Sequence, residues 1–299
     1  MERYETNGFC EYLKQYQKPH TFRFYDTTKS LLVVAKKQDN EPMMRIIDDR
    51  IPKKDLSNEL DAYEKDFGNI CYHMSKVSGL PLFWLRYADR EILTNEDWVT
   101  LWESGHRRDF RPIQMKDLVS VFRSYNIEAK LENRTPQKQK NDSLSSAFHI
   151  WQRECLRVGV FADIDLIRLD KTRTHVASII ELKRSHYSLE QWRPFAFDLN
   201  NFSIISNFCR KLGNIPFYIL YHEQIPRKSA AIEEPNRRFY FPTQKKGVPY
   251  FDKVDRLKIF QVEQREHVYF YSLPYPVCRG IYRIDDWIER ETDDPMDGE

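Results

Sequence analysis

Two short apolar runs, 161–169 and 176–183, carry charges where buried strands ought to be apolar. That conflict constrains the chain more than any other feature in it. The runs read Phe161-Ala162-Asp163-Ile164-Asp165-Leu166-Ile167-Arg168-Leu169 and Val176-Ala177-Ser178-Ile179-Ile180-Glu181-Leu182-Lys183, joined by Asp170-Lys171-Thr172-Arg173-Thr174. Ile, Leu and Val on both arms and a polar reversal between them predict a β-hairpin. Side chains alternate along a strand, so Asp163 and Asp165 share one face, as do Glu181 and Lys183. A turn centred near Thr172 sets Asp163 opposite Glu181, about 5 Å away. Lys183 then stands roughly 6.6 Å along the strand from Glu181, at a rise of about 3.3 Å per residue. The register of the turn is open by a residue or two, which makes Asp165 the rival of Asp163.

Carboxylates at that separation repel unless a cation lies between them or one keeps its proton. Mg²⁺ takes oxygen ligands from one or two carboxylates and keeps several waters. Such an ion stabilises charge on a phosphate oxygen and acidifies bound water, and a neighbouring lysine orients the water or adds positive charge at the transition state. The residues therefore point to a metal site with a lysine beside it. The plain alternative is a solvated hairpin face with an ordinary ion pair, against which the apolar flanks argue.

The surroundings follow one order. Upstream, Asp142 or Ser143 can cap a helix, and Leu144, Phe148, Trp151 and Cys155 recur with helical spacing. Glu154 lies at the edge of that stripe, free either to point towards the sheet or to pair with Arg153 or Arg157. Downstream, Pro194 suits a first helical turn, Leu199, Phe202, Ile205 and Cys209 mark a buried face, and Gly213-Asn214 stops the helix. Pro216-Phe217-Tyr218-Ile219-Leu220-Tyr221-His222 reads as the next strand.

Helix, strand, strand, helix, strand, with an aspartate on one strand and Glu-x-Lys on the next, resembles the PD-(D/E)xK nuclease superfamily. Ala162-Asp163 and Glu181-Leu182-Lys183 carry the likeness, over roughly residues 143 to 223. Ala162 stands where that family often has proline. The resemblance implies an α/β fold, a restriction endonuclease-like mixed sheet flanked by helices. It also implies a metal-dependent DNA nuclease, an endonuclease in restriction, defence or repair, with Asp163, Glu181 and Lys183 as catalytic residues. Asp163, Glu181, Asp165 and Glu154 become the candidate ligands of Mg²⁺ or Mn²⁺. Arg184, His186 and Arg193, with Lys171 and Arg173 in the turn, are the candidate nucleic-acid contacts. RNA in place of DNA, or a non-cleaving nucleic-acid-binding or regulatory protein on the same fold, are the alternatives. Double-strand cleavage would suggest a homodimer.

Residues 1–130 read as a separate α+β unit for recognition, with a hairpin from Thr21–Tyr25 and Ser30–Ala35, a strand near Met43–Ile47 and a helix over 56–77. In Phe22-Arg23-Phe24 and Trp84-Leu85-Arg86-Tyr87, aromatics interleave with arginine. That pattern suits base stacking, and more often marks the two faces of a half-buried strand. The polar stretch 131–142 suggests a linker, 143–284 the nuclease-like domain, and 285–299 a solvated acidic tail. No internal repeat is visible. The tail holds eight acidic residues and one basic, so residues 1–284 carry 46 basic against 37 acidic residues under a formal net charge of only +2. A basic body suits a phosphate backbone. Five scattered cysteines give neither a zinc pattern nor a disulfide framework, which suggests the reducing cytoplasm. No apolar run reaches the roughly 18 residues of a membrane span.

Overall fold

The computed structural model describes residues 7–16, 22–24, 29–51, 60–104, 109–137, 146–170, 172, 174–229, 232, 234–245, 248–266 and 272–293. The fold is mixed α/β, in two compact units that interleave along the chain. The first is built from Tyr25–Ile164 and Arg210–Gly213, the second from Glu5–Phe24, Asp165–Cys209 and Asn214–Glu299.

In the first unit, β2 (Lys29–Ala35), β3 (Pro42–Ile51), β4 (Leu82–Ala88), β5 (Trp98–Glu103), β6 (Arg111–Gln114) and β9 (Val160–Ile164) form one sheet, ordered β6-β5-β4-β3-β2-β9. Only β3 and β4 run parallel, because α2 (Ala62–Ser78) connects them and a parallel pair needs such a crossover. A reciprocal capping box opens α2: Asp61 accepts the Glu64 N–H and Glu64 accepts the Asp61 N–H. Gly79, left-handed at φ 67°, closes it. α2 lies over Trp84, and a Cβ on Gly68 would come within 2.8 Å of that indole, so glycine permits the close approach. The opposite face packs Phe83, Leu85, Ile46 and Leu32 under α3 (Leu118–Ser124) and α4 (Ala147–Cys155), through Phe122, Phe148 and Trp151. A short pair, β7 (Lys130–Leu131) with β8 (Leu156–Arg157), flanks α4 in sequence. Strands covered on both sides are buried along their length, and β4 is buried throughout.

In the second unit, β1 (Phe22–Phe24), β10 (Leu166–Leu169), β11 (Val176–Ser185), β12 (Phe217–Pro226), β14 (Val248–Glu266) and β13 (Tyr240–Lys245) follow one another, and β15 (Ser272–Arg283) also pairs with β14. Here too a single neighbouring pair is parallel, β11 with β12, joined by α5 (Leu199–Lys211). Phe9, Tyr12 and Leu13 of α1 (Gly8–Tyr16) and Ile284, Trp287 and Ile288 of α6 (Ile284–Asp293) cover one face with Leu166, Ile180 and Leu220. Side-chain alternation gives α5 the other face, where Phe202 meets Phe217. The first N–H of α1, from Gly8, donates to buried Asp252 at 2.8 Å, and a Cβ on Gly8 would fall 2.4 Å from the Asp252 Cβ. Burial works to raise the Asp252 pKa. His222, Arg184 and the Gly8 N–H outweigh it and hold the carboxyl below the usual range.

The structure departs from the sequence reading in several places. The stretch 131–137 belongs to the first unit, and the chain passes between units at other points, so 131–142 is no domain boundary. Thr21–Tyr25 and Ser30–Ala35 do not form a hairpin: β1 pairs with β10 and β2 with β3 and β9. The tail is helical as far as Asp293, because Ile284, Trp287 and Ile288 give it an apolar stripe. Trp84, Leu85, Arg86 and Tyr87 are all buried and meet no base. A repeat exists after all, in topology: both sheets read antiparallel, antiparallel, parallel, antiparallel, antiparallel from one edge to the other.

Buried Asp48 on β3 accepts the Tyr87 hydroxyl at 2.6 Å. Burial pushes its pKa up to about 6, against hydrogen bonds from Ser146 and Tyr87 that lower it. The native state thus holds a proton that the unfolded chain releases near its ordinary value of 3.8. Stability is therefore favoured below about pH 4 and lost as pH rises through about 6. Asp48→Asn should remove that slope and gain up to about 3 kcal/mol relative to the parent between pH 4 and 7. Urea denaturation at both ends of the range reads this directly, and an unchanged slope would refute it.

Candidate functional site

The lysine read from the hairpin is the centre of a real cluster, in the second unit. Lys183 Nζ lies 2.8 Å from Glu181 Oε1 and 3.4 Å from Asp198 Oδ1. Glu181 and Lys183 are alternate residues of β11 and share the face that carries α5. Asp198 comes from the 3₁₀ turn Ala196–Asp198 that runs into α5. The register Leu166↔Ile180, carried one residue further, sets Asp165 opposite Glu181. The Asp165 carboxylate also accepts the Leu182 N–H at 2.7 Å, which fastens it at the mouth of the hairpin.

Burial acts to lower the Lys183 pKa, but the charges of Glu181, Asp198 and Asp165 outweigh it and raise it. Lys183 is therefore an ammonium, a donor and a source of charge, and not a base at neutral pH. The ammonium also sits 5.9 Å from the Phe202 ring centroid, a contact that favours the charged form.

Beyond β11 the chain is held down firmly. Tyr221 donates to the Tyr187 carbonyl and stacks on Trp192, with ring centroids 4.2 Å apart and planes 1° from parallel. Leu189 N–H donates to Glu223 at 2.8 Å, and Lys258 Nζ donates to the carbonyls of Glu190 and Trp192 at 3.2 and 3.0 Å. These bonds fix residues 187–192 while Tyr187 and Phe195 stay exposed and His186 stacks on Tyr187.

Of the residues singled out from the sequence, Glu181, Lys183 and Asp165 come together. Asp163 does not: it lies in β9, registers with Leu32 of β2 in the first unit and is exposed, because the first arm of the hairpin breaks at Asp165. Glu154 is in α4 of the first unit, bonded by Arg153 at 3.0 Å. Arg184 faces the other side of β11 and bonds Asp252 at 2.6 Å, so it is no backbone contact. His186 and Arg193 are exposed, with Arg193 donating to the carbonyls of Glu190 and Trp192. Lys171 and Arg173 lie outside the described residues. Asp198 is the residue that sequence reasoning missed, although an acidic residue one position before the first helical leucine is a recognisable cue.

Among the described residues no group of three or more His, Cys, Asp or Glu has metal-holding geometry. Asp165 and Glu181 supply oxygen donors alone, which suits a hard ion that keeps most of its waters and not zinc. All five cysteines are free. Among the described residues no helix is long and apolar enough to cross a membrane. Comparison with family models, with curated proteins and with solved structures found no match.

Lys183→Met should leave Glu181 buried without its counter-charge and cost about 1–3 kcal/mol at pH 7.5. Urea denaturation of the parent and variant tests it, and equal stabilities would mean that the ion pair contributes nothing.

Proposed function

We propose that this chain is a Mg²⁺- or Mn²⁺-dependent nuclease that hydrolyses phosphodiester bonds in DNA, with its second unit as the restriction endonuclease-like core. One observation carries the reading. Asp165, immediately before β10, stands opposite Glu181 of Glu181-x-Lys183 on the neighbouring antiparallel β11, and β11 leads through α5 into parallel β12. This is the element order of the PD-(D/E)xK family, with Asp165 in place of Asp163 as the aspartate. Asp165 and Glu181 would hold the ion, which supplies Lewis-acid stabilisation of charge on a phosphate oxygen. The protonated Lys183 donates to water or to a phosphate oxygen and adds positive charge where the transition state gathers negative charge. Asp198 keeps that ammonium in place. His186, Tyr187, Arg193 and Phe195 offer a cation and stacking faces to a nucleic-acid strand, and the basic excess of residues 1–284 favours its backbone. Restriction, defence or repair in a reducing cytoplasm fits this chemistry and the free cysteines.

A second reading is a non-cleaving nucleic-acid-binding protein. What favours it is that Glu181 and Asp198 both hold Lys183, with no three-ligand group among the described residues.

Plasmid, linear and single-stranded DNA, with RNA in parallel, should be incubated with the protein in Mg²⁺ or Mn²⁺. Cleavage should fall about 10²-fold or more in Lys183→Ala, Glu181→Ala and Asp165→Ala, and by less than about threefold in Asp163→Asn. Cutting that survives Glu181→Ala would refute the site. Binding without cutting in either metal would select the second reading.

A further inference from the structure

A row of side chains crosses the second unit's sheet on the face that carries α5. Lys183 on β11 registers with Tyr221 on β12, and Tyr221 with Lys258 on β14. Register partners point to one face, so the two lysines stand on either side of Tyr221. With strands about 4.8 Å apart, their backbones lie about 10 Å from each other. Trp192 covers the middle of the row. It stacks on Tyr221 and meets Phe260, two residues from Lys258, edge-on at 5.6 Å between ring centroids.

The far lysine is unlike the near one. Lys183 is flanked by carboxylates. Lys258, 3% exposed, rests on two backbone carbonyls, those of Glu190 at 3.2 Å and Trp192 at 3.0 Å. Arg193 Nη1 donates to the same two oxygens, at 2.6 and 2.8 Å. Two cations thus converge on one pair of carbonyls, and among the described residues no carboxylate forms an ion pair with either. Glu190, the acidic side chain that acts on Lys258, is exposed and is bonded by its own N–H and by Ser188. Burial, and then the charge of Arg193, lower the Lys258 pKa, the mark of a positive charge that the protein itself does not balance. Arg193 is exposed and commits only Nη1 to the carbonyls among the described residues. Its Nε and Nη2 form an edge with the fork geometry that phosphate oxygens take.

We propose that Arg193 and Lys258 form a phosphate subsite: the strand being cut lies across β11, β12 and β14 and gives a second phosphate to this pair. The inference rests on the nuclease reading for the bond that is cut, whereas the anion site stands on the cation pair. A stacked strand advances about 3.4 Å per nucleotide, so a span of about 10 Å places the gripped phosphate roughly two or three nucleotides from the one at Lys183. Arg193 supplies the donors that reach the phosphate oxygens, and Lys258 adds charge from beneath. Because Lys258 already fixes the two carbonyls, residues 190–193 need little reordering when the strand arrives, and that preorganisation favours binding.

The test uses the full chain and a fluorescent single-stranded DNA, bound in EDTA and followed by anisotropy over a range of KCl concentrations, with cleavage in Mg²⁺ alongside. Arg193→Gln should weaken binding about tenfold at low salt. It should also reduce the salt slope by about 0.7, the value of one lost phosphate contact on a single strand. Lys258→Met should weaken binding in the same way, and if that variant fails to fold, Arg193→Gln decides alone. Lys228→Gln, at an exposed lysine of the same unit, is the charge control and should change affinity by less than about twofold. In cleavage, Arg193→Gln should raise KM and leave kcat within about twofold. A single uncharged methylphosphonate walked along the strand should weaken the parent roughly two or three nucleotides from the cut and have no further effect there on Arg193→Gln. Parent-like affinity and slope in Arg193→Gln, or a methylphosphonate effect that persists in it, would overturn the subsite, while cleavage by the parent would keep the nuclease reading. Arg193-dependent binding by a parent that cuts nothing in Mg²⁺ or Mn²⁺ would keep the subsite and remove the nuclease. Absence of binding by the parent at low salt would overturn the subsite.

Discussion

The chain changes sheets between Ile164 and Asp165, and most of what is distinctive here depends on that step. Up to Ile164 the backbone is bonded to β2; from Leu166 it is bonded to β1 and β11. Asp165 itself belongs to neither ladder. Its carboxylate takes the Leu182 N–H at 2.7 Å. A continuous hairpin would have run Asp163 alongside β11 and buried its charge against the sheet. The break leaves Asp163 exposed in one unit and Asp165 at the charged end of the other.

Electrostatics at that end follow from strand parity. Glu181 and Lys183 share a face because they are two apart, and Arg184, one further on, is sent to the opposite face and to Asp252. Each face of β11 therefore has its own ion pair beneath its own helix. On the α1 side the carboxylate is fully buried: Asp252 takes bonds from Arg184, Gln224 and the helix N-terminus, a set that fixes α1 against the sheet and favours the ionised carboxyl. On the α5 side the cation is the more exposed partner, and three carboxylates act on it.

Local pattern made much of this legible. The arms around β10 and β11, the stripe of α4, the face and glycine stop of α5 and the strand β12 all follow from periodicity and capping residues within a dozen positions. What local pattern could not supply was partnership. Phe22–Phe24 looks like the first arm of a hairpin with Lys29–Ala35 because adjacency is the usual outcome. Nothing in either segment records that β1 will pair some 140 residues away. The same blindness hid the repeat: the two sheets share order and direction, not residues. Two misses were local. The stripe Ile284, Trp287, Ile288 was obscured by counting charges across 285–299, and the alternation that joined Glu181 to Lys183 already excluded Arg184 from their face.

Arginine and lysine then separate the two units. Arg86 between Asp49 and Glu64 in the first unit, and Lys183 between Glu181 and Asp198 in the second, each neutralise a strand carboxylate and a helix-entrance carboxylate with one cation, so each cluster is satisfied in the folded state. A planar guanidinium that reaches both partners, with the Trp84 indole N–H on the same Asp49 oxygen and the Phe110 ring nearby, is a fixed part of the core, since moving it would leave two buried carboxylates and a buried cation unmatched. An ammonium with a wet stem costs far less to displace, because water replaces the partner that it loses. The side chain that bridges the carboxylates therefore sets how readily a cluster of this kind is opened, and in this chain both kinds stand on the same sheet topology.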